Sequence, residues 1–237
     1  MIKAVLFDLD GTLLPLDNDT FIGAYFKRLV GWLAPYGYEP KQASDTIWNG
    51  TAAMVKNDGA KTNEAVFWQV FSSVYGEEKT KADEPLFDSF YNNPEGFDSV
   101  REVVGFAPLA SEVISLVKEL GLRLVLATNP VFPSIATEKR IKWAGLSPSD
   151  FELYTTYENS TFCKPNVAYY EEIIKKLGLK AEECLMVGND VTDDMIAEKL
   201  GMKVFLLTDC LINKTGRSLS DFPHGDFEAL IAFLKSL

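Results

Sequence analysis

MIKAVLFDLDGT, residues Met1 to Thr12, decides how the rest of this chain is read. Ala4, Val5, Leu6 and Phe7 form a short apolar run that ends in Asp8, Leu9, Asp10, Gly11 and Thr12. An apolar run of that length, closed by a turn-forming glycine, predicts a buried strand. Two carboxylates, two residues apart, then sit at its carboxyl end. In an open α/β sheet that edge is where ligands bind. Clustered carboxylates are costly to bury unpaired, so a cation belongs nearby, either a divalent metal or a phosphate-reading lysine.

Downstream, Leu13 to Asp19 reads as a loop, with Asp17, Asn18 or Asp19 able to cap the next helix. From Thr20 to about Pro35 apolar residues recur at helical spacing, and residues 41–55, 62–75 and 81–90 do the same. Residues from about Asp17 to Phe97 therefore read as an aromatic-rich helical insert. From about Pro108 the texture changes. Apolar runs at 122–127, 151–156, 184–187 and 204–207 alternate with helical stretches at 109–120, 133–143, 164–176, 192–200 and 226–237. That alternation predicts an α/β fold, a doubly wound parallel sheet with helices on both faces. The core is expected in two pieces, 1–15 and 98–237, with a smaller α-helical domain, 16–97, inserted after the first strand. The junctions near Leu14–Asp17 and Phe97–Gly105 are the expected hinges.

Composition narrows the function classes. The chain has 237 residues and a formal charge of −11, from 23 basic and 34 acidic side chains. It lacks the broad positive field that nucleic acid or an anionic membrane surface requires. A small anionic substrate is still compatible, because a metal and a lysine can reverse the field inside one pocket. Cys163, Cys184 and Cys210 have no C-x-x-C spacing, and His224 is the single histidine, so neither a zinc site nor a catalytic triad is expected. The cysteines read as small core residues and His224 as a surface-loop residue. No leader-like segment and no membrane-length apolar stretch stands out. The expectation is a soluble cytoplasmic protein; the sequence does not set its oligomeric state, and a monomer is favoured.

Parallel strands present their carboxyl ends at one edge, so Asp8 and Asp10, Thr128, the Lys164 loop, and Asp190 with Asp194 can meet there. A carboxylate nucleophile, a metal and phosphate-reading donors form a consistent set for phosphoryl transfer. Hard oxygen ligands of this kind suit Mg²⁺. Each residue also has a plain structural reading. The Asp8/Asp10 pair could cap a turn, Thr128 could cap a helix, Lys164 could be solvated, and the acids at 190, 193 and 194 could complement a helix dipole.

Asp-Leu-Asp-Gly-Thr after an apolar strand resembles the first motif of the haloacid dehalogenase-like (HAD) hydrolase superfamily. Three further motifs come in the right order, and the resemblance spans most of the chain outside about Pro15–Gly105. It implies a central first strand and a helical cap between motifs one and two. It implies that Asp8 is the nucleophile and that Asp10 protonates the leaving alcohol and later deprotonates water. Thr128, with the Asn129 backbone N–H beside it, would hold phosphate oxygens, and Lys164 would offset charge on Asp8 and the phosphoryl group. Mg²⁺ would contact the Asp8 carboxylate, the Asp10 main-chain carbonyl and Asp190. An acid, three residues and an acid selects Asp190 and Asp194 as the last motif, with Asp194, one turn on, a further candidate for the metal site. Asn189 occupies a position where an acid is commoner, which leaves Asp193 as an alternative to Asp194. In resembling dehalogenases the Asp10 position is not acidic, so Asp10 favours a phosphate ester. The expected activity is Mg²⁺-dependent hydrolysis of a small phosphorylated metabolite through an aspartyl-phosphate. A phosphosugar mutase and a catalytically idle phospho-ligand binder are the alternatives.

Overall fold

Four apolar runs become the centre of a single parallel sheet in the computed structural model, which describes residues 1–237. The strands are β1 (Ala4–Phe7), β2 (Arg123–Leu126), β3 (Leu153–Tyr154), β4 (Cys184–Gly188), β5 (Lys203–Leu207) and β6 (His224–Gly225), in the order β3-β2-β1-β4-β5-β6. β1 lies between β2 and β4, with Phe7 level with Leu126 and Val187. Strands enclosed on both faces must be apolar on both, and every residue of β1 is buried. Val5 and Phe7 join Leu124, Leu126, Leu185 and Val187 in the core on one face. Ala4 and Leu6 join Val125, Ala127 and Met186 on the other.

Helix α5 (Pro108–Glu119), α6 (Ser134–Trp143) and α8 (Phe227–Lys235) contribute to the first core, and α7 (Val167–Leu177) to the second through Tyr169, Tyr170 and Ile173. Between β1 and α5 come α1 (Asn18–Leu33), α2 (Pro40–Val55), α3 (Asn63–Tyr75) and α4 (Glu77–Asn92). Three of these helices start on a side-chain cap: Asp17 on Thr20, Glu39 on Lys41 and Gln42, and Thr62 on Ala65. The four do not close a separate core. Tyr25 of α1 packs edge-on against Phe132, 5.1 Å between ring centroids, and Phe97 stacks on Trp143 at 5.1 Å. One apolar cluster therefore runs from the insert to the sheet.

A polar tie joins them as well. Asn63, fully buried at the start of α3, donates through Nδ2 to the carbonyl of Pro130 at 3.1 Å and accepts from Asn57 Nδ2 at 2.9 Å. Its own N–H reaches the carbonyl of Ser160 at 2.9 Å. Leaving such a buried amide unpartnered costs about 1–3 kcal/mol, so the site holds α3 to the loops beyond β2 and β3.

Several elements differ from the sequence expectation. β6 has no counterpart in it, because two residues carry no period, and it places His224, though exposed, in a strand and not a loop. β3 covers only Leu153–Tyr154 of the expected 151–156. The stretch expected as a helix from 192 begins as turns, and only Met195–Leu200 is helical, as a 3₁₀ segment. There Asp190 Oδ1 accepts from the N–H groups of Thr192 and Asp193, an aspartate turn that competes with helix hydrogen bonding. α7 starts at Val167, capped by Asn166, which leaves Lys164 in a loop. No helix is long and apolar enough to cross a membrane.

Candidate active site

The strand register brings the predicted residues together. Asp8 comes directly after Phe7, Thr128 lies two residues beyond Leu126, and Asn189 and Asp190 come after Gly188 at the end of β4. A cavity of about 220 Å³ opens at that edge, and Asp8, Asp10, Thr128, Asn129, Lys164, Asp190, Asp193 and Asp194 all line it. The loop after β1 turns tightly: Gly11 N–H donates to the Leu14 carbonyl at 2.8 Å, and Leu14 N–H to the Leu9 carbonyl at 2.8 Å. Gly11 has φ +82°, and a β-carbon there would collide with Asn189, so glycine is required twice over.

Lys164 is the charge centre. Its Nζ donates to Asp8 Oδ1 at 2.8 Å and to Asp194 Oδ1 at 2.6 Å, and all three side chains are nearly inaccessible. Burial alone would lower the ammonium's pKa, but the Asp194 and Asp8 carboxylates outweigh it and hold Lys164 well above the ordinary lysine value. Lys164 is thus ammonium at any working pH. Burial pushes Asp194 up to about 7 against the pull of Lys164, and Asp193 up to about 6. Asp194 has both oxygens engaged, since Oδ2 accepts from the Asp190 N–H at 2.9 Å. A β-carbon at Gly188 would collide with that carboxylate, so Gly188 makes room for it.

Asp8 Oδ2 lies 3.2 Å from the Thr12 hydroxyl, which also approaches Asn189 Oδ1 at 3.1 Å. Asn189 Nδ2 donates to the Cys210 carbonyl at 2.6 Å. The asparagine at the position where an acid is commoner therefore ties the first motif to the loop beyond β5. The Thr128 carbonyl accepts from the hydroxyls of Thr155 and Tyr169 at 2.6 and 2.9 Å, which fixes the end of β2. Asn129 Oδ1 is buried without a partner.

Asp10 is held by a residue that no motif in the sequence singles out. Arg140 on α6 is fully buried; its Nη1 donates to Asp10 Oδ2 and its Nη2 to Thr137 Oγ1 at 3.2 Å, while the guanidinium lies 4.4 Å over the Phe132 ring. Asp10 Oδ1 is left without a partner. Burial raises the Asp10 pKa despite Arg140. Its role emerges only once the helix is docked: Ala136, Thr137, Trp143 and Ala144, three or four residues from Arg140, are all buried, so the arginine lies on the inward face.

The donor set suits a hard divalent cation. Five carboxylates line the cavity against one ammonium, and one buried oxygen of Asp10 has no partner. No three acidic, histidine or cysteine side chains gather closely enough to hold a metal alone. A cation would need main-chain, water or substrate oxygens in addition, which is how Mg²⁺ is commonly bound.

A family model described as haloacid dehalogenase-like hydrolase matches residues 2–201. A phosphoglycolate phosphatase of Vibrio parahaemolyticus is 26% identical over 207 residues, covering 87% of this chain and 84% of the relative. A glyceraldehyde 3-phosphate phosphatase of Methanothermobacter thermautotrophicus is 27% identical over 212 residues, covering 87% and 86%. Among solved structures, a 2-haloacid dehalogenase from Pseudomonas syringae superposes with a TM-score of 0.64 at 20% identity, over 100% of this chain and 99% of that one. That likeness is one of fold. With a family match over most of its length and the motif residues gathered at one sheet edge, the chain belongs to the haloacid dehalogenase-like hydrolases.

Proposed function

We propose that this hydrolase is a Mg²⁺-dependent phosphatase that cleaves a small phosphate monoester through an aspartyl-phosphate, with residues 16–97 as its cap. The observation that carries the reading is the pair Asp8 and Asp10. Asp8 is held by Lys164, while Asp10, which lines the cavity, is anchored by Arg140 on one oxygen and keeps the other buried without a partner. A halide leaves without a proton, whereas an alkoxide needs one, so an acid at position 10 supports an ester. The Vibrio and Methanothermobacter relatives are phosphatases, which supports it further.

An Asp8 oxygen attacks phosphorus as the ester P–O bond breaks, and Asp10 gives its proton to the departing alcohol. Asp10, now carboxylate, then takes a proton from water as that water attacks phosphorus and releases Asp8. Lys164 offsets negative charge on Asp8 and the transferring group, and Thr128 with the Asn129 N–H receives phosphate oxygens. Asp8, the Asp10 carbonyl and Asp190 are the residues to hold Mg²⁺; Asp194, engaged by Lys164 and the Asp190 N–H, would reach it only by giving up one of those bonds. The metal supplies charge neutralisation for the phosphoryl group.

The test is phosphate release from p-nitrophenyl phosphate. Wild type is expected to be active with Mg²⁺ and silent after chelation, and Asp8→Asn to retain less than about one-thousandth of the rate. Substantial turnover by Asp8→Asn would overturn the covalent route.

A further inference from the structure

Resting on that reading, we infer that the preferred substrates are phosphate esters of small uncharged alcohols, and that esters whose leaving group bears a carboxylate are discriminated against. Apart from Thr128 and Asn129, assigned to the phosphate, the cavity wall contributed by α1 and by the loops beyond β2 and β5 is Phe21, Ile22, Val131, Phe132 and Ile212, with Asn18 as its polar side chain. None of these carries a positive charge to pair a second anion. The single ammonium on the wall, Lys164, is engaged with Asp8 and Asp194. The Arg140 guanidinium is fully buried, bonded to Asp10, and does not line the cavity. With Asp10 carrying the proton it donates, the other four wall carboxylates already use up the positive charges of a divalent cation, Lys164 and Arg140, so none is left over for a second anion beside the phosphate. A carboxylate on the leaving group would thus be buried beside like charges with no cation of its own, which is unfavourable.

The cations of the insert do not supply one. Lys27, Arg28, Lys56 and Lys61 all lie off the cavity, and Arg28 is paired with Glu102 at 2.8 Å. Lys214 is the nearest rival, in an adjoining groove that shares Asn18 and Ile212 with the cavity. It is exposed there, among Asp17, Asp19 and Asp209. The small cavity volume favours a leaving group of a few carbons.

The deciding measurement compares kcat/KM, with Mg²⁺, for glyceraldehyde 3-phosphate and 3-phosphoglycerate, which share a skeleton and differ in an aldehyde against a carboxylate. Glycerol phosphate and phosphoglycolate serve as a second pair and p-nitrophenyl phosphate as a generic ester. The uncharged member of each pair is expected to be preferred at least about tenfold. Ile22→Lys, which places a cation on the wall, is expected to shift that ratio at least about tenfold toward the carboxylate. Equal or better turnover of the carboxylate esters overturns the inference. So does a carboxylate activity that Lys214→Ala selectively removes. Absence of turnover on every ester, p-nitrophenyl phosphate included, instead sinks the phosphatase reading and this inference with it.

Discussion

The loops after β1 and β4 are built alike and behave differently. Each carries one acid at the strand end, Asp8 or Asp190, and a second acid two or four residues on, Asp10 or Asp194, held by a buried cation. Arg140 takes only one Asp10 oxygen, and the other is buried without a partner. Lys164 and the Asp190 N–H together take both oxygens of Asp194. A half-satisfied buried acid is poised for proton transfer, whereas a fully satisfied one holds other groups in place. On the proposed mechanism, two acids at matching places in the chain divide into chemistry and architecture according to how many of their oxygens the fold has claimed.

That division can be broken at each member. Asp10→Asn is expected to have the largest effect, a fall of about 10²–10⁴ in kcat on an alkyl phosphate. In kcat/KM, which reports only the steps up to departure of the leaving group, the loss on p-nitrophenyl phosphate should be much smaller, because its leaving group needs no proton; equal losses in kcat/KM on the two esters would deny Asp10 its role as acid. Urea unfolding of Asp10→Asn should move little by comparison with Asp194→Ala. Removing Asp194 strips one partner from a buried ion pair and leaves the Asp190 N–H unpaired, with an expected destabilisation of about 3–5 kcal/mol. An Asp194→Ala protein as stable as wild type would show that this carboxylate is not architectural. Arg140→Lys probes the finest point. It keeps the charge but loses the bond from Nη2 to Thr137, so kcat should fall several-fold with KM nearly unchanged, and Arg140→Met should fall further. If the lysine and methionine variants behave alike, Arg140 acts through packing on Phe132 and not through Asp10.

Much of this arrangement is legible in the sequence. The apolar runs ending at Phe7, Ala127, Val187 and Leu207 match β1, β2, β4 and β5 to within a residue or so, because strands buried on both faces admit few polar residues. Motif order and strand ends point Asp8, Asp10, Thr128, Lys164 and Asp190 to one edge, and they do line one cavity there. Asn63 is not legible in this way, since an asparagine at the start of a helix looks like an ordinary capping residue; its three buried carbonyl and sulfur acceptors come from loops about 67 to 100 residues away. Arg140 is hidden for a similar reason: a lone arginine in a helix reads as solvated until its helix is docked.

By itself, then, the sequence determined the alternation of strands and helices and the presence of acids at the strand ends, because periodicity and local turn chemistry act over a few residues. Only the tertiary structure decided which acid meets which cation. Asp10 and Arg140 are 130 residues apart, Asp8 and Lys164 are 156 apart, and Asp194 and Lys164 are 30 apart. Separations of that size carry no local pattern. Pairing across them depends on strand order and helix docking, which bring the charges into one poorly solvated edge where each must find a partner.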